Sequence, residues 1–257
     1  MYTVSGVSPR NPRHLSDSST SGLIIERSGE VLTFTLDNRE HGNQVTGPMF
    51  DGMLAELRAE ASRPRARVLR IRARGSVFCT GRERAGRNAA GIRREARRLI
   101  EVKRRLRVSS LISLAEVQGD AFGFGFGLAI VCDFVLVAKT AALGFPEMRS
   151  GLPPSAIMAY LGEYALPRFT FPLVLFGDAT TPAHALQIGL ISHVCPAEHL
   201  VHDADALVER ILRLDAVAVR HCKEFFLATQ QNRFAENCRL AAEVLTRDSL
   251  AVLKKAK

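Results

Sequence analysis

The chain has 257 residues, 47% of them hydrophobic, and a net charge of +9. That length can bury a large core as one domain with at most a small appendage. Five cysteines (Cys79, Cys132, Cys195, Cys222, Cys238) form no C-x-x-C pair, which argues against a disulfide framework or a metal site and suits a reduced, cytoplasmic protein.

Residues 1–22 are rich in Ser, Pro and Arg and lack an apolar run, so a disordered leader is expected there. Residues 23–26 and 31–36 are β-rich runs around a turn at 27–30, a hairpin pattern. Over residues 47–61, Met49, Phe50, Met53, Leu54 and Leu57 fall at helical spacing, and Ser62-Arg63-Pro64 ends the helix. Residues 68–73, VLRIRA, alternate as a strand does.

A basic helix is expected over 91–108. Between Arg82 and Arg107 there are eleven Lys/Arg against three Glu, which carries almost the whole charge excess. Such a run is a solvated face, or a patch for phosphate or nucleic acid. No aromatics interleave the arginines, so nucleic acid is not favoured.

A strand is expected over 111–117. The run AFGFGFGLAIVCDFVLVA is long enough to mimic a membrane span, but Asp133 and the frequent glycines divide it into a buried helix (124–132) and a buried strand (134–138). Phe122, Phe124 and Phe126 are expected in the core. Helices follow over 155–164, 168–176 and 182–187, then a short strand over 191–194. Three closing helices are expected over 198–214, 216–230 and 233–245. Strands alternate with helices early and helices dominate late, which implies an α/β core at 23–195 and a helical region at 196–257.

Two segments are suited to holding developing negative charge. One is RGSVFCTG, residues 74–81, a turn directly after the strand VLRIRA. The other is the helix start marked by Gly123, Gly125 and Gly127. Backbone amides converging from two turns can polarise a carbonyl and hold its enolate. A single carboxylate, Glu147, follows behind Pro146. The glycines do not form a dinucleotide fingerprint, because Leu128 stands where G-x-G-x-x-G needs glycine.

Taken together, RGSVFCTG, QGDAFGFGFGLAIVCD and LGFPEMRSGLPP resemble, in that order, three motifs of the crotonase (enoyl-CoA hydratase/isomerase) superfamily: RG-x-x-F-C-A-G, N-G-x-A-x-G-G-G…L-A-x-x-C-D and F-G-x-P-E…G-x-x-P. The resemblance spans residues 23–245. It implies a crotonase-like (ClpP/crotonase) spiral of ββα units with a helical C-terminal part. It also implies an acyl-CoA thioester substrate, with coenzyme A as part of the substrate and no separate cofactor. The C-terminal helices would form contacts in a trimer or a dimer of trimers.

By position, the resemblance puts the two oxyanion amides on Arg82 and Phe124, with Gly81, Gly123, Gly125 and Gly127 lining the substrate. Glu147 matches the family's second catalytic glutamate, and Gly127 stands where the first would be. Hydration in this family uses two carboxylates around one water, so one carboxylate favours double-bond isomerisation or another one-carboxylate enolate reaction. The buried phenylalanines are expected to raise the pKa of Glu147.

Two other readings stand beside this one: a hydratase with an atypical second acid, and a non-catalytic homologue that binds nucleic acid or a protein partner through residues 82–107. His41 lies in a loop that the family places near the acyl pocket. Asp120 and Glu83 have no motif behind them, and Asp133 is expected to order the helix-to-strand turn.

Overall fold

The computed structural model describes residues 18–230 and 232–255. Ten strands make two sheets among the described residues. The larger sheet has the order β1 (Ser18–Thr20), β2 (Leu23–Ser28), β3 (Val31–Leu36), β4 (Val68–Ala73), β6 (Ile112–Val117), β8 (Phe134–Ala138), β10 (His193–Cys195). β1 to β3 pair antiparallel and the rest pair parallel. The smaller sheet is parallel throughout: β5 (Val77–Cys79), β7 (Asp120–Phe122), β9 (Leu143–Gly144).

Each turn of the chain lays one strand in the large sheet and one in the small sheet, then crosses back. The crossings are made by α2 (Ala89–Val108) and α3 (Phe124–Ile130), which gives the expected spiral of ββα units. α1 (Gly47–Ser62) starts at Thr46, whose hydroxyl caps the Met49 amide, and buries the apolar stripe expected of it.

The strands of the large sheet alternate between two buried faces. Leu69, Ile71, Ala115, Val117, Val135 and Val137 face the main core with α1 to α3. Val68, Leu114 and Leu136 face the other way, onto Leu200, Ala204, Val208 and Ile211 of α7 (Leu200–Leu212). α7 is therefore part of the packed core, and the boundary expected at residue 195 does not separate two packing units. Arg70 strengthens this seam by bonding Glu116 (2.5 and 3.0 Å) and Asp205 of α7 (2.7 Å).

α4 (Ser155–Leu161), α5 (Pro167–Phe176) and α6 (Pro182–Gln187) lead to β10. α8 (Ala216–Thr229) and α9 (Phe234–Lys255) close the chain, and α9 runs ten residues past the end expected for it. The leader expected over 1–22 is overturned at its end, because Ser18–Thr20 pairs with Leu23–Ile25. Residues 1–17 lie outside the described residues. Among the described residues no helix is long and apolar enough to cross a membrane.

Candidate active site

β4 ends in a turn at Gly75, whose φ of +83° favours glycine, and the chain re-enters as β5. Beyond β5 the chain bridges to Val45: the Val45 amide donates to the Gly81 carbonyl (3.1 Å) and the Glu83 amide donates to the Val45 carbonyl (3.0 Å). Since successive amides on an extended chain point to opposite sides, the Arg82 amide faces away from that bridge. It has no hydrogen-bond partner among the described residues. The Arg82 side chain turns aside to Glu95 (3.0 Å).

Two close approaches bring the second glycine segment against this strand. A Cβ on Gly119 would lie 1.8 Å from the Ser76 carbonyl oxygen, and one on Gly125 would lie 2.2 Å from that of Cys79. Only glycine lets the backbones of β5 and α3 touch in this way. α3 opens with Phe124, whose amide belongs to the first turn and has no partner among the described residues. The Phe124 ring is buried edge-on against Phe50, with centroids 5.0 Å apart.

Glu147 arrives from a 3-10 turn (Pro146–Ser150) just after β9. The Gly123 amide donates to the Gly144 carbonyl (2.9 Å), and Phe145 stacks on Phe126 (5.1 Å), which fixes that turn against α3. The carboxylate then presses on Gly123, where a Cβ would meet Oε1 at 2.8 Å. The Gly123 φ of +53° independently disfavours a side chain. Oε2 of Glu147 is buried and has no hydrogen-bond partner among the described residues. Burial raises the pKa of this carboxyl, as the sequence predicts, against the opposing pull of its own amide and of Lys103, Arg84 and Arg82.

The site residues expected from the sequence thus come together: Gly81 and Arg82 just beyond β5, where Arg82 bridges Val45, Gly123 at the N-cap of α3 with Gly125 and Gly127 in its first turn, and Glu147 beside Gly123. Phe126 is fully buried and Phe124 nearly so, which agrees with a core role, whereas Phe122 is only half-buried.

Two side chains at the site escape the sequence reading. Lys103 of α2 is 4% exposed, donates to the Tyr160 hydroxyl (2.7 Å) and lies 5.1 Å from the Phe124 ring centroid. The Tyr160 hydroxyl in turn donates to the Gly127 carbonyl (2.9 Å). The signal for Lys103 was present in the chain. With Leu99, Val102 and Leu106 it forms one buried helical stripe, so a cation sits at an apolar position.

Asp120 holds the Ala142 amide (2.9 Å), and His41 is exposed and bonds Asn38 (3.2 Å). Glu83 is exposed. Asp133, expected to order the helix-to-strand turn, accepts from the Ser113 amide (2.7 Å), the Ser113 hydroxyl (2.8 Å) and Lys223 of α8 (2.6 Å), so its carboxylate ties that turn to β6 and α8. The basic segment is not one solvated face: Lys103 is buried, and Arg82, Arg98, Arg104, Arg105 and Arg107 each pair with a carboxylate.

Away from this site, His193, Cys195 and Asp203 each bring a possible ligand atom to within 4.8 Å of the others. Asp203 already bonds His193 and His202 there. An apolar cavity of about 750 Å³ lies between β8, Tyr164 and α8, and its lining includes neither Glu147 nor Lys103.

Residues 26–250 match the enoyl-CoA hydratase/isomerase family. The chain is 27% identical over 219 residues to the 2,3-dehydroadipyl-CoA hydratase of Escherichia coli K12, covering 82% of this chain and 84% of that protein. A Thermobifida fusca YX protein provisionally named an enoyl-CoA hydratase, solved in complex with CoA, is 28% identical with a TM-score of 0.82, covering 91% and 95% of the two chains. The Mycobacterium smegmatis enoyl-CoA hydratase superposes with a TM-score of 0.84 at 20% identity over 88% and 90% of the two chains, which shows the shared fold. The spiral of ββα units, the paired glycine segments and the match along nearly the whole chain agree: this chain belongs to the enoyl-CoA hydratase/isomerase family of acyl-CoA-processing enzymes.

Proposed function

We propose that this enzyme moves the double bond of an enoyl-CoA thioester, with the amides of Arg82 and Phe124 holding the thioester oxygen and Glu147 moving the proton. The observation that carries this reading is the Glu147 carboxylate, pressed on Gly123 one residue before the Phe124 amide, with a buried oxygen that has no partner among the described residues. A thioester oxygen held at the two amides would place its C2 hydrogens beside that oxygen. As the C2 proton leaves, charge moves onto the thioester oxygen, where two fixed donors stabilise it without reorganising. The raised pKa brings the carboxyl nearer to the working range of a group that takes the C2 proton and later releases it.

Arg84, whose charge acts on Glu147, and Arg87, Arg93, Arg94 and Arg97 are exposed and suit the phosphates of coenzyme A. The apolar side chains exposed on the last two helices, Phe226, Phe234, Leu245 and Leu253, suit contacts between copies in a trimer or a dimer of trimers. The free cysteines suit a reducing, cytoplasmic setting.

The test is turnover of trans-3-hexenoyl-CoA to the 2-enoyl isomer by the parent and by Glu147→Gln. The variant is expected to bind the thioester while losing roughly 10²- to 10⁴-fold in kcat. Undiminished turnover would remove Glu147 from the reaction.

A further inference from the structure

In the resembled family the side chain at the Gly127 position is a glutamate, and here that space is already occupied. A Cβ on Gly127 would lie 2.5 Å from the Tyr160 hydroxyl, 2.5 Å from Cδ1 of Ile157 and 2.8 Å from Nζ of Lys103. What fills the gap is a second ionisable group. Tyr160 and Lys103 come from α4 and α2, and the hydrogen bonds Lys103 to Tyr160 to the Gly127 carbonyl fix the amine in place. The rings of Phe124 and Tyr160 flank the amine at 5.1 and 4.8 Å.

Burying a lysine is costly, and an apolar residue would complete the Leu99–Val102–Leu106 stripe more cheaply. Burial pulls the Lys103 pKa down to about 7, while Glu147 opposes the shift. Among the described residues the ionisable groups facing the amine are Glu147, from the 3-10 turn, and Tyr160, from α4, whose own pKa is raised well above the ordinary tyrosine value.

We propose that Lys103, positioned by Tyr160, is the second proton-transfer group of this site, standing at the Gly127 end of the first turn of α3 while Glu147 stands at the Gly123 end. The proposal rests on the isomerase reading above. Gly123 and Gly127 are four residues apart, about 6 Å along the helix. A carboxylate and an amine at those two places bracket the acyl carbons of a thioester held at the Phe124 amide.

Glu147 removes the proton from C2 of a 3-enoyl thioester, and the C–H pair forms a dienolate whose charge rests on the thioester oxygen. The Lys103 ammonium then gives a proton to C4. The C3=C4 pair makes the new C–H bond, the double bond forms between C2 and C3, and the carbonyl is restored. Glu147 is left as the acid and Lys103 as the amine. One proton passing from Glu147 to Lys103 through solvent resets the pair.

The experiment follows trans-3-hexenoyl-CoA in D₂O with the full chain, Glu147→Gln, Lys103→Met, Lys103→Arg and Tyr160→Phe, with thioester binding and thermal unfolding measured for each. The parent is expected to place solvent deuterium at C4 in the first turnover. Its kcat should fall as pH rises through about 7, because the donor must be protonated. Lys103→Met should lose about 100-fold or more in kcat and lose that pH limb, with KM little changed. Lys103→Arg keeps the charge but cannot release its proton, so it should not rescue turnover. Tyr160→Phe should move the limb.

Transfer of the substrate's own C2 proton to C4 by the parent, or parental kcat and pH profile in Lys103→Arg, would overturn the proposal. Internal transfer by the parent excludes Lys103 as the donor even if Lys103→Met fails to fold, whereas solvent deuterium at C4 is read together with Lys103→Arg and the pH limb, because a Glu147 carboxyl also exchanges with solvent. Glu147-dependent turnover with internal transfer removes Lys103 alone. Absent turnover by the parent, or full turnover by Glu147→Gln, removes the isomerase reading and this proposal with it.

Discussion

Gly125→Ala isolates the contact on which the site geometry depends. Inside a helix such as α3 this change ordinarily gains about 1 kcal/mol. Here the added carbon would meet the Cys79 carbonyl oxygen at 2.2 Å, its Cβ at 2.6 Å and its carbonyl carbon at 2.8 Å. These are mostly backbone atoms of β5, so no rotamer change relieves them, and α3 and β5 must separate by about 1 Å to reach ordinary contact. Overpacking of this kind costs about 1–3 kcal/mol, and rigid backbone on both sides puts it at or above the upper end. Less the helical gain, the net destabilisation is about 2 kcal/mol or more. The same separation moves the Phe124 amide away from the Arg82 amide, and a shift of about 1 Å in such a site can cost about 100-fold in rate. Urea unfolding and hexenoyl-CoA turnover measure the two effects, with Gly162→Ala as the control, since nothing lies within 4 Å of a Cβ there. A Gly125→Ala variant within 0.5 kcal/mol of the parent (roughly the error of a surface change) would refute the reasoning.

Lys223→Met removes the cation that α8 inserts under β6, where it bonds the Leu111 carbonyl (2.6 Å) and Asp133 (2.6 Å). Asp133 keeps its two Ser113 bonds, so the expected loss is about 2–4 kcal/mol by urea unfolding, and a change below about 1 kcal/mol would contradict the anchoring role. Glu60 is buried, which alone would raise its pKa, but the Ala66 and Arg65 amides and the Arg27 guanidinium outweigh burial and lower it. Its folded pKa lies below the unfolded value of about 4.3, so its stabilisation is complete above that pH and is lost as pH falls through the folded value. Glu60→Gln should therefore be less stable at pH 6 and lose less stability than the parent between pH 5 and 3. Equal acid sensitivity in both would remove Glu60 from the acid response.

Long strands and amphipathic helices were legible in this chain because each has a period and a length that repeat the same burial several times. VLRIRA sends Leu69 and Ile71 to one core and Val68 to the other, and its alternation could be read directly. The small sheet could not be read in the same way. Val77–Cys79, Asp120–Phe122 and Leu143–Gly144 hold two or three residues each, too few for alternation to register, and pairing with distant strands defines them. Yet it is this sheet that sets Gly81, Gly123 and Glu147 beside one another.

The candidate site divides along the same line. Its backbone half was legible because glycine leaves a mark wherever chains touch, and the motif order carried Arg82, Phe124 and Glu147. The Lys103–Tyr160 half joins residues 57 positions apart, and nothing local to either residue names the other. What the sequence did contain was a pair of anomalies at a distance: a cation on the buried stripe of α2, and a glycine where the family has glutamate. A glycine inside a buried helix leaves a void unless another side chain enters it, and an amine on a buried stripe is stranded unless it finds a polar pocket. Each anomaly supplies what the other lacks. The missing glutamate and the buried lysine are therefore one structural fact, and a substitution at either position has to be judged with the other in view.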